Sequence, residues 1–352
     1  MQTIGERFTP PAPNFDTTPF LVFWETTRAC DLACLHCRAS AQPTRDADEL
    51  TTEEGEQLLR EAHAMGAPLV VLTGGDPAKR PDLVHLVRFG SRLGLRMALT
   101  PSATPLVTGP LLENLRSAGL ARLALSLDGV GRATHDLFRG VDGSFARTKD
   151  LLRTAKDLGL TTQVNTTVTR FNLHELERIA ESLVPLGIEL WSVFFVVPTG
   201  RATAADVLDP EIVEGVLERL VALAPSLPFD IKTTAAPHYR RIQLVHKMPR
   251  ASIAGLRDGI GRAPRGVNDG AGMVFVSHVG DVYPSGFLPV PVGNVRRTPL
   301  PTLYREHPFM QALRDPTRLT DKCGACPFKR ICGGSRARAW AMTGNPFAPD
   351  PA

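Results

Sequence analysis

The sequence holds no apolar run long enough to cross a membrane. Its first residues, Met1-Gln2-Thr3-Ile4-Gly5-Glu6-Arg7, lack the apolar stretch of a secretion signal. It carries no strong charge of either sign: 40 basic residues against 36 acidic ones leave a net +4, too little to argue for a nucleic-acid partner. No internal repeat and no low-complexity tract stands out. Cysteine is scarce, and the six present fall into two groups of three, unlike a secreted disulfide framework. These absences argue against membrane, nucleic-acid and secreted scaffold proteins. They leave a cytoplasmic chain whose cysteines read as metal ligands. With 43% hydrophobic and 22% charged residues over 352 positions, the chain can bury one large α/β domain plus an appendage.

The first cysteine group is compact. Cys30, Cys34 and Cys37 stand in the spacing C-x3-C-x2-C, directly after Pro19-Phe20-Leu21-Val22-Phe23-Trp24, an apolar run read as a buried strand. Three thiolates on so short a loop can face one point, and thiolates suit zinc or iron–sulfur clusters. A structural zinc wants a fourth ligand, which His36 or a distant cysteine would supply. A four-iron cube on three thiolates leaves one iron open to a cofactor or substrate.

Beyond this loop, strands and helices alternate. Thr51-Thr52-Glu53-Glu54 reads as a capped helix start running to about Met65. Strands are expected at 68–72, 96–100, 122–127, 161–169 and 189–197, with helices at 81–93, 109–117, 144–158, 173–186 and 209–223. Six β–α units argue for a parallel sheet with right-handed crossovers, here a partial (β/α)6 TIM-like barrel. Residues 225–270 show no clear period. A hairpin is expected over Met273–Pro284 with its turn at Val279-Gly280, then a helix over about 300–313 and a short helical stretch over 336–342. The expected domains are an extended arm (1–18), a barrel (19–230) and a small hairpin-and-helix C-terminal domain (231–352) holding the second cysteine group.

The cysteine spacing, placed one β–α unit before Gly74-Gly75-Asp76-Pro77, resembles the radical S-adenosylmethionine (SAM) enzymes. The resemblance implies a [4Fe–4S] cluster on Cys30, Cys34 and Cys37, with SAM chelated to the open iron and cleaved to a 5′-deoxyadenosyl radical. Gly74, Gly75 and Asp76 would meet the SAM amino group, Asp standing where the family more often has Glu. His36 takes the place of an aromatic residue beside cluster and adenine. Thr100 and Ser102, ending the third strand, and Ser126 and Asp128, ending the fourth, would meet SAM. Arg139 would pair with its carboxylate. Asn165 and the backbone around Val196 would hold ribose and adenine. The reaction implies a reducing partner such as ferredoxin or flavodoxin.

Cys323, Cys326 and Cys332 resemble the auxiliary-cluster modules called SPASM and twitch, which implies a second iron–sulfur cluster; a three-cysteine zinc knuckle is the alternative. The related tetrapyrrole enzymes carry a further cysteine about twenty residues on, so the fourth ligand is left open here, and Tyr283-Pro284-Ser285 stands where relatives place a hairpin cysteine. Cys34–Ala39, Ser126–Arg147 and Cys332–Ala339 are similar to the enzymes of haem and haem d1 biosynthesis, which implies oxidative attack on tetrapyrrole propionates. Lys232, His238, Arg240 and Arg241 are candidates to meet such carboxylates, and Tyr239 lies among them. The alternative is a maturase acting on a ribosomal peptide.

Overall fold

The computed structural model describes residues 14–247 and 266–352. Most of the expected arm therefore lies outside the described residues. Its end is packed: Phe15 is buried, and its carbonyl accepts a hydrogen bond from the Tyr304 hydroxyl at 2.6 Å.

The core is one sheet in the order β10-β9-β8-β1-β2-β3-β4-β5-β6-β7. The strands are β1 Leu21–Glu25, β2 Leu69–Thr73, β3 Arg96–Leu99, β4 Leu120–Ser126, β5 Thr162–Val168, β6 Leu190–Phe195, β7 Asp230–Thr234, β8 Met273–Val276, β9 Asp281–Tyr283 and β10 Gly293–Asn294. From β8 through β1 to β7 every pairing is parallel. The β8–β9 and β9–β10 pairings are antiparallel. The six expected strands are all present. Two more extend the parallel sheet: β7 beyond β6, and β8 on the other edge of β1. The predicted hairpin is real, but its first strand pairs with β1, so it continues the barrel sheet. The boundary expected at 230/231 falls inside β7.

Alternation along β1 sets the layers. Val22 and Trp24 face the helices in the main hydrophobic core, while Leu21 and Phe23 face inward with Leu69, Val71 and Ala98. The helices are α1 Thr52–Ala64, α2 Leu83–Arg92, α3 Gly109–Ser117, α4 Arg132–Arg139, α5 Ser144–Asp157, α6 Leu176–Leu183, α7 Pro210–Leu223, α8 His238–Val245, α9 Leu300–Glu306, α10 Pro308–Arg314, α11 Asp321–Ala325 and α12 Arg336–Thr343. Thr51 caps α1 as its sequence predicts: its hydroxyl accepts from Glu54 N, and the Glu54 carboxylate accepts from Thr51 N. The single helix expected over 300–313 is two, because Pro308 forces His307 into extended backbone and restarts the helix. Among the described residues no helix is long and apolar enough to cross a membrane.

Candidate functional site

The C-terminal ends of β1 to β7 open onto a cavity of about 450 Å³. Cys30, Cys34 and Cys37 line it together with Gly74, Gly75, Thr100, Ser102, Ser126, Asn165 and Val196. Residues spread over 167 positions of sequence thus meet at one wall, as the end-of-strand logic of parallel α/β folds requires.

The cysteine loop is positioned by backbone. Gly75 N donates to Thr27 O and Asp76 N to Ala29 O, both at 2.7 Å. A Cβ on Gly75 would sit 2.4 Å from Ala29 O and 2.6 Å from Arg28 O. These glycines are therefore needed for the close approach of the cysteine loop itself, before any ligand is considered. On the other side, the carbonyls of Phe138 and Arg139 at the end of α4 accept from Leu35 N and Ala33 N, each at 3.1 Å. Gly140, at φ 68°, closes α4 in the left-handed conformation.

Each thiol is met by a donor. Leu32 N lies 3.4 Å from Cys30 Sγ, Ala41 N 3.4 Å from Cys37 Sγ, and Arg139 Nη1 3.7 Å from Cys34 Sγ. The Ser102 hydroxyl is 3.2 Å from Cys30 Sγ. Donors aimed at three thiols that share a cavity wall suit an iron–sulfur cluster, whose potential such hydrogen bonds tune. Among the described residues no three Cys, His, Asp or Glu side chains are arranged as ligands of a single ion.

The two acids sit behind this wall and are absent from the cavity lining. Asp76 is fully buried and caps the turn after β2. Its carboxylate accepts from Ala78 N, Ser102 N and the Thr104 hydroxyl, while burial pushes its pKa up. It joins the ends of β2 and β3 and carries Ser102 into place. Asp128 is fully buried as well. Its Oδ2 accepts from both Nε and Nη2 of Arg139, at 2.7 and 2.5 Å, and its Oδ1 accepts from Thr167 N at 2.8 Å. Burial would raise its pKa, but the Arg139 guanidinium, together with His36, His135 and the Thr167 amide, outweighs this and holds the carboxyl below the usual range. Arg139, which lines the cavity, thus already has an anionic partner.

His36 stacks on Phe138 with ring centroids 4.2 Å apart, and burial lowers its pKa to about 4, so the ring is neutral at pH 7. His135, pushed to about 4 mainly by burial, accepts from Asp128 N at Nδ1 and faces the Ser144 hydroxyl with Nε2.

Sequence reasoning missed Glu25. Buried at the end of β1, it accepts from Arg38, next to Cys37, at 2.5 Å and faces His278 Nδ1 of the β8–β9 turn at 3.0 Å. Arg38 also donates to Gly286 O and lies over the Phe275 ring. Burial favours the neutral acid, yet Arg38 and His278 draw Glu25 down to about 2. A lone acid before T-T-R-A-C carries no spacing signal, so nothing in the sequence marks it.

The second trio lies on α11 (Cys323), at its end (Cys326) and in the following loop (Cys332). Gly334 N lies 3.4 Å from Cys332 Sγ, and Arg336 Nη2 lies 3.9 Å from Cys323 Sγ. Gly333 and Gly334 have φ of 66° and 64°, a consecutive left-handed pair that favours glycine. Burial pushes the Cys332 thiol up to about 11. Asp350, fully buried, pairs twice with Arg338 at 2.8 Å and accepts from Ser335 N, fixing the chain beside this loop. His238 Nε2 lies 3.6 Å from Asp350, and burial lowers its pKa to about 4. His238 and Arg241 are not cavity-lining, whereas Lys232, Tyr239 and Arg240 are.

Residues 24–183 match the model of the radical SAM superfamily. An AdoMet-dependent heme synthase from Methanosarcina barkeri is 38% identical, over 95% of this chain and 95% of its own. A PqqA peptide cyclase from Ruegeria pomeroyi is 30% identical over 95% of this chain and 86% of its own. Among solved structures, Streptococcus suis SuiB bound to S-adenosylmethionine superposes with a TM-score of 0.73 at 17% identity, covering 94% of this chain and 76% of that one, a likeness of fold.

Proposed function

The chain belongs to the radical SAM superfamily, an enzyme family that binds a [4Fe–4S] cluster and SAM, and on that premise we propose that it oxidatively modifies a tetrapyrrole bearing carboxylate side chains. The observation that carries this reading is the 38% identity to an AdoMet-dependent heme synthase over 95% of both chains. The cavity chemistry supports it: Phe20, Leu21, Phe23, Leu190 and Phe287 give apolar walls for a flat macrocycle, and Lys232 and Arg240 supply positive charge for its carboxylates.

Bound at Cys30, Cys34 and Cys37, the cluster and SAM would supply one-electron cleavage of a C–S bond and a 5′-deoxyadenosyl radical. The protein's own work is placement. Arg139 and the amides of Leu32 and Ala41 offset negative charge on the thiolates. Gly74, Gly75, Thr100, Ser102, Ser126, Asn165 and Val196 form the wall proposed to meet SAM. Leu21, Phe23, Leu69, Val71 and Ala98 give the cavity an apolar wall on β1 to β3. Cys323, Cys326 and Cys332 would hold the second cluster, and a low-potential donor such as ferredoxin or flavodoxin would supply the electron.

Titration of the anaerobically reconstituted protein with Fe-coproporphyrin III tests the substrate class: a shift of the Soret band is expected, and its absence would move the reading to a peptide substrate. Cys30→Ala is expected to abolish 5′-deoxyadenosine formation under dithionite and to remove about four of about eight irons. Cys326→Ala is expected to retain that cleavage and lose turnover of the porphyrin.

A further inference from the structure

Two side chains at the polar end of the cavity have no role so far. α8 buries Tyr239, Ile242 and Gln243 on one face. Tyr239 and Gln243 stand four residues apart, so they are neighbours on that face. Both line the cavity, at 3% and 6% exposure. The Tyr239 hydroxyl faces the Gln243 side chain and, among the described residues, has no hydrogen-bond partner.

A buried hydroxyl left without an acceptor costs about 1–3 kcal/mol. On a cavity wall that cost has a natural resolution, because the acceptor arrives with the ligand. Burial pushes the Tyr239 pKa up, so the phenol stays protonated and acts as a donor, not a base. The Gln243 amide can donate beside it. Lys232, on β7, and Arg240, the next residue of α8, line the same cavity. Two neutral donors share this wall with Lys232 and Arg240, while Asp230 also acts on the phenol; the donors match an acceptor on an apolar frame, and the cations favour an ionised carboxylate.

We propose that Tyr239 and Gln243 form a positioning pair that donates hydrogen bonds to a carboxylate side chain of the substrate. The proposal rests on the tetrapyrrole reading and adds residues to it.

The test compares Fe-coproporphyrin III with its tetramethyl ester, each titrated into the reconstituted protein and followed at the Soret band. Tyr239→Phe is expected to weaken binding of the free acid about tenfold, the loss of one hydrogen bond to a charged group, and to change binding of the ester by less than twofold. Gln243→Glu, which sets like charge against the ligand, is expected to weaken the acid more than tenfold and to spare the ester. Iron content and thermal unfolding check that both variants are folded, and either variant alone decides the matter. If the variants bind acid and ester as the wild type does, or lose both equally, the pair does not read a carboxylate. If the wild type itself binds neither porphyrin, the tetrapyrrole reading falls and takes this proposal with it.

Discussion

Gly75 is held between the carbonyls of Arg28 and Ala29, with no space for a side chain. Because the atoms in the way are backbone, Gly75→Ala must push the cysteine loop. A loss of about 1–3 kcal/mol is expected, together with poorer iron retention. Denaturant unfolding and iron analysis of the variant check both; full iron content at wild-type stability would show that the loop can shift freely. The neighbouring acid is engaged within the protein itself. Asp76 was legible as a residue after a strand end, yet its hydrogen bonds go to Ala78, Ser102 and Thr104. The spacing of a motif shows that a residue belongs at a site, but not which of its neighbours uses its lone pairs.

α4 shows the same limit at the scale of an element. Its sequence, Arg-Ala-Thr-His-Asp-Leu-Phe-Arg, buries His135, Asp136 and Phe138, so the buried face is mostly polar and gives no clean apolar period. The β–α alternation around it was legible because β2 is apolar up to its last residue, β4 is apolar apart from Arg122 and its closing Ser126, and α1 carries its own cap. β7, Asp-Ile-Lys-Thr-Thr, was not, since every residue in it is half-buried. What holds α4 in place is Asp128–Arg139, a buried pair that joins its last turn to the ends of β4 and β5. Asp128→Asn leaves the Arg139 charge poorly compensated, and a loss of about 3–5 kcal/mol is expected. Because α4 carbonyls hold Ala33 and Leu35, cluster loading should fall as well. Unfolding curves with iron analysis test this, and an unaltered unfolding midpoint would refute it.

Across the whole molecule, Glu25, Arg38 and His278 join the cysteine loop to the turn after β8. The Glu25 pKa is lowered from its ordinary 4.5 to about 2. Its ionised form therefore stabilises the fold above about pH 4.5, and that contribution is lost as pH falls toward 2, on the order of 3 kcal/mol in all. Glu25→Gln should destabilise the metal-free protein at pH 7 by more than it does at pH 3. An equal effect at both values would mean that the carboxylate charge is not what matters.

The parallel pairing of β8 with β1 has a consequence for the order in which the protein can mature. Leu21 and Met273 are paired neighbours, yet a ribosome adding about 5–20 residues per second reaches the second of them roughly 10–50 s after the first. Until then β1 has one open edge, and Arg38 lacks the Gly286 carbonyl that helps to hold it. The cysteine loop is synthesised long before β8 yet is finished only with it, which places iron loading after β8 has emerged. Nascent chains stalled before residue 270 are expected to carry no iron when isolated without oxygen; iron bound to them would show that the loop closes without its late neighbours.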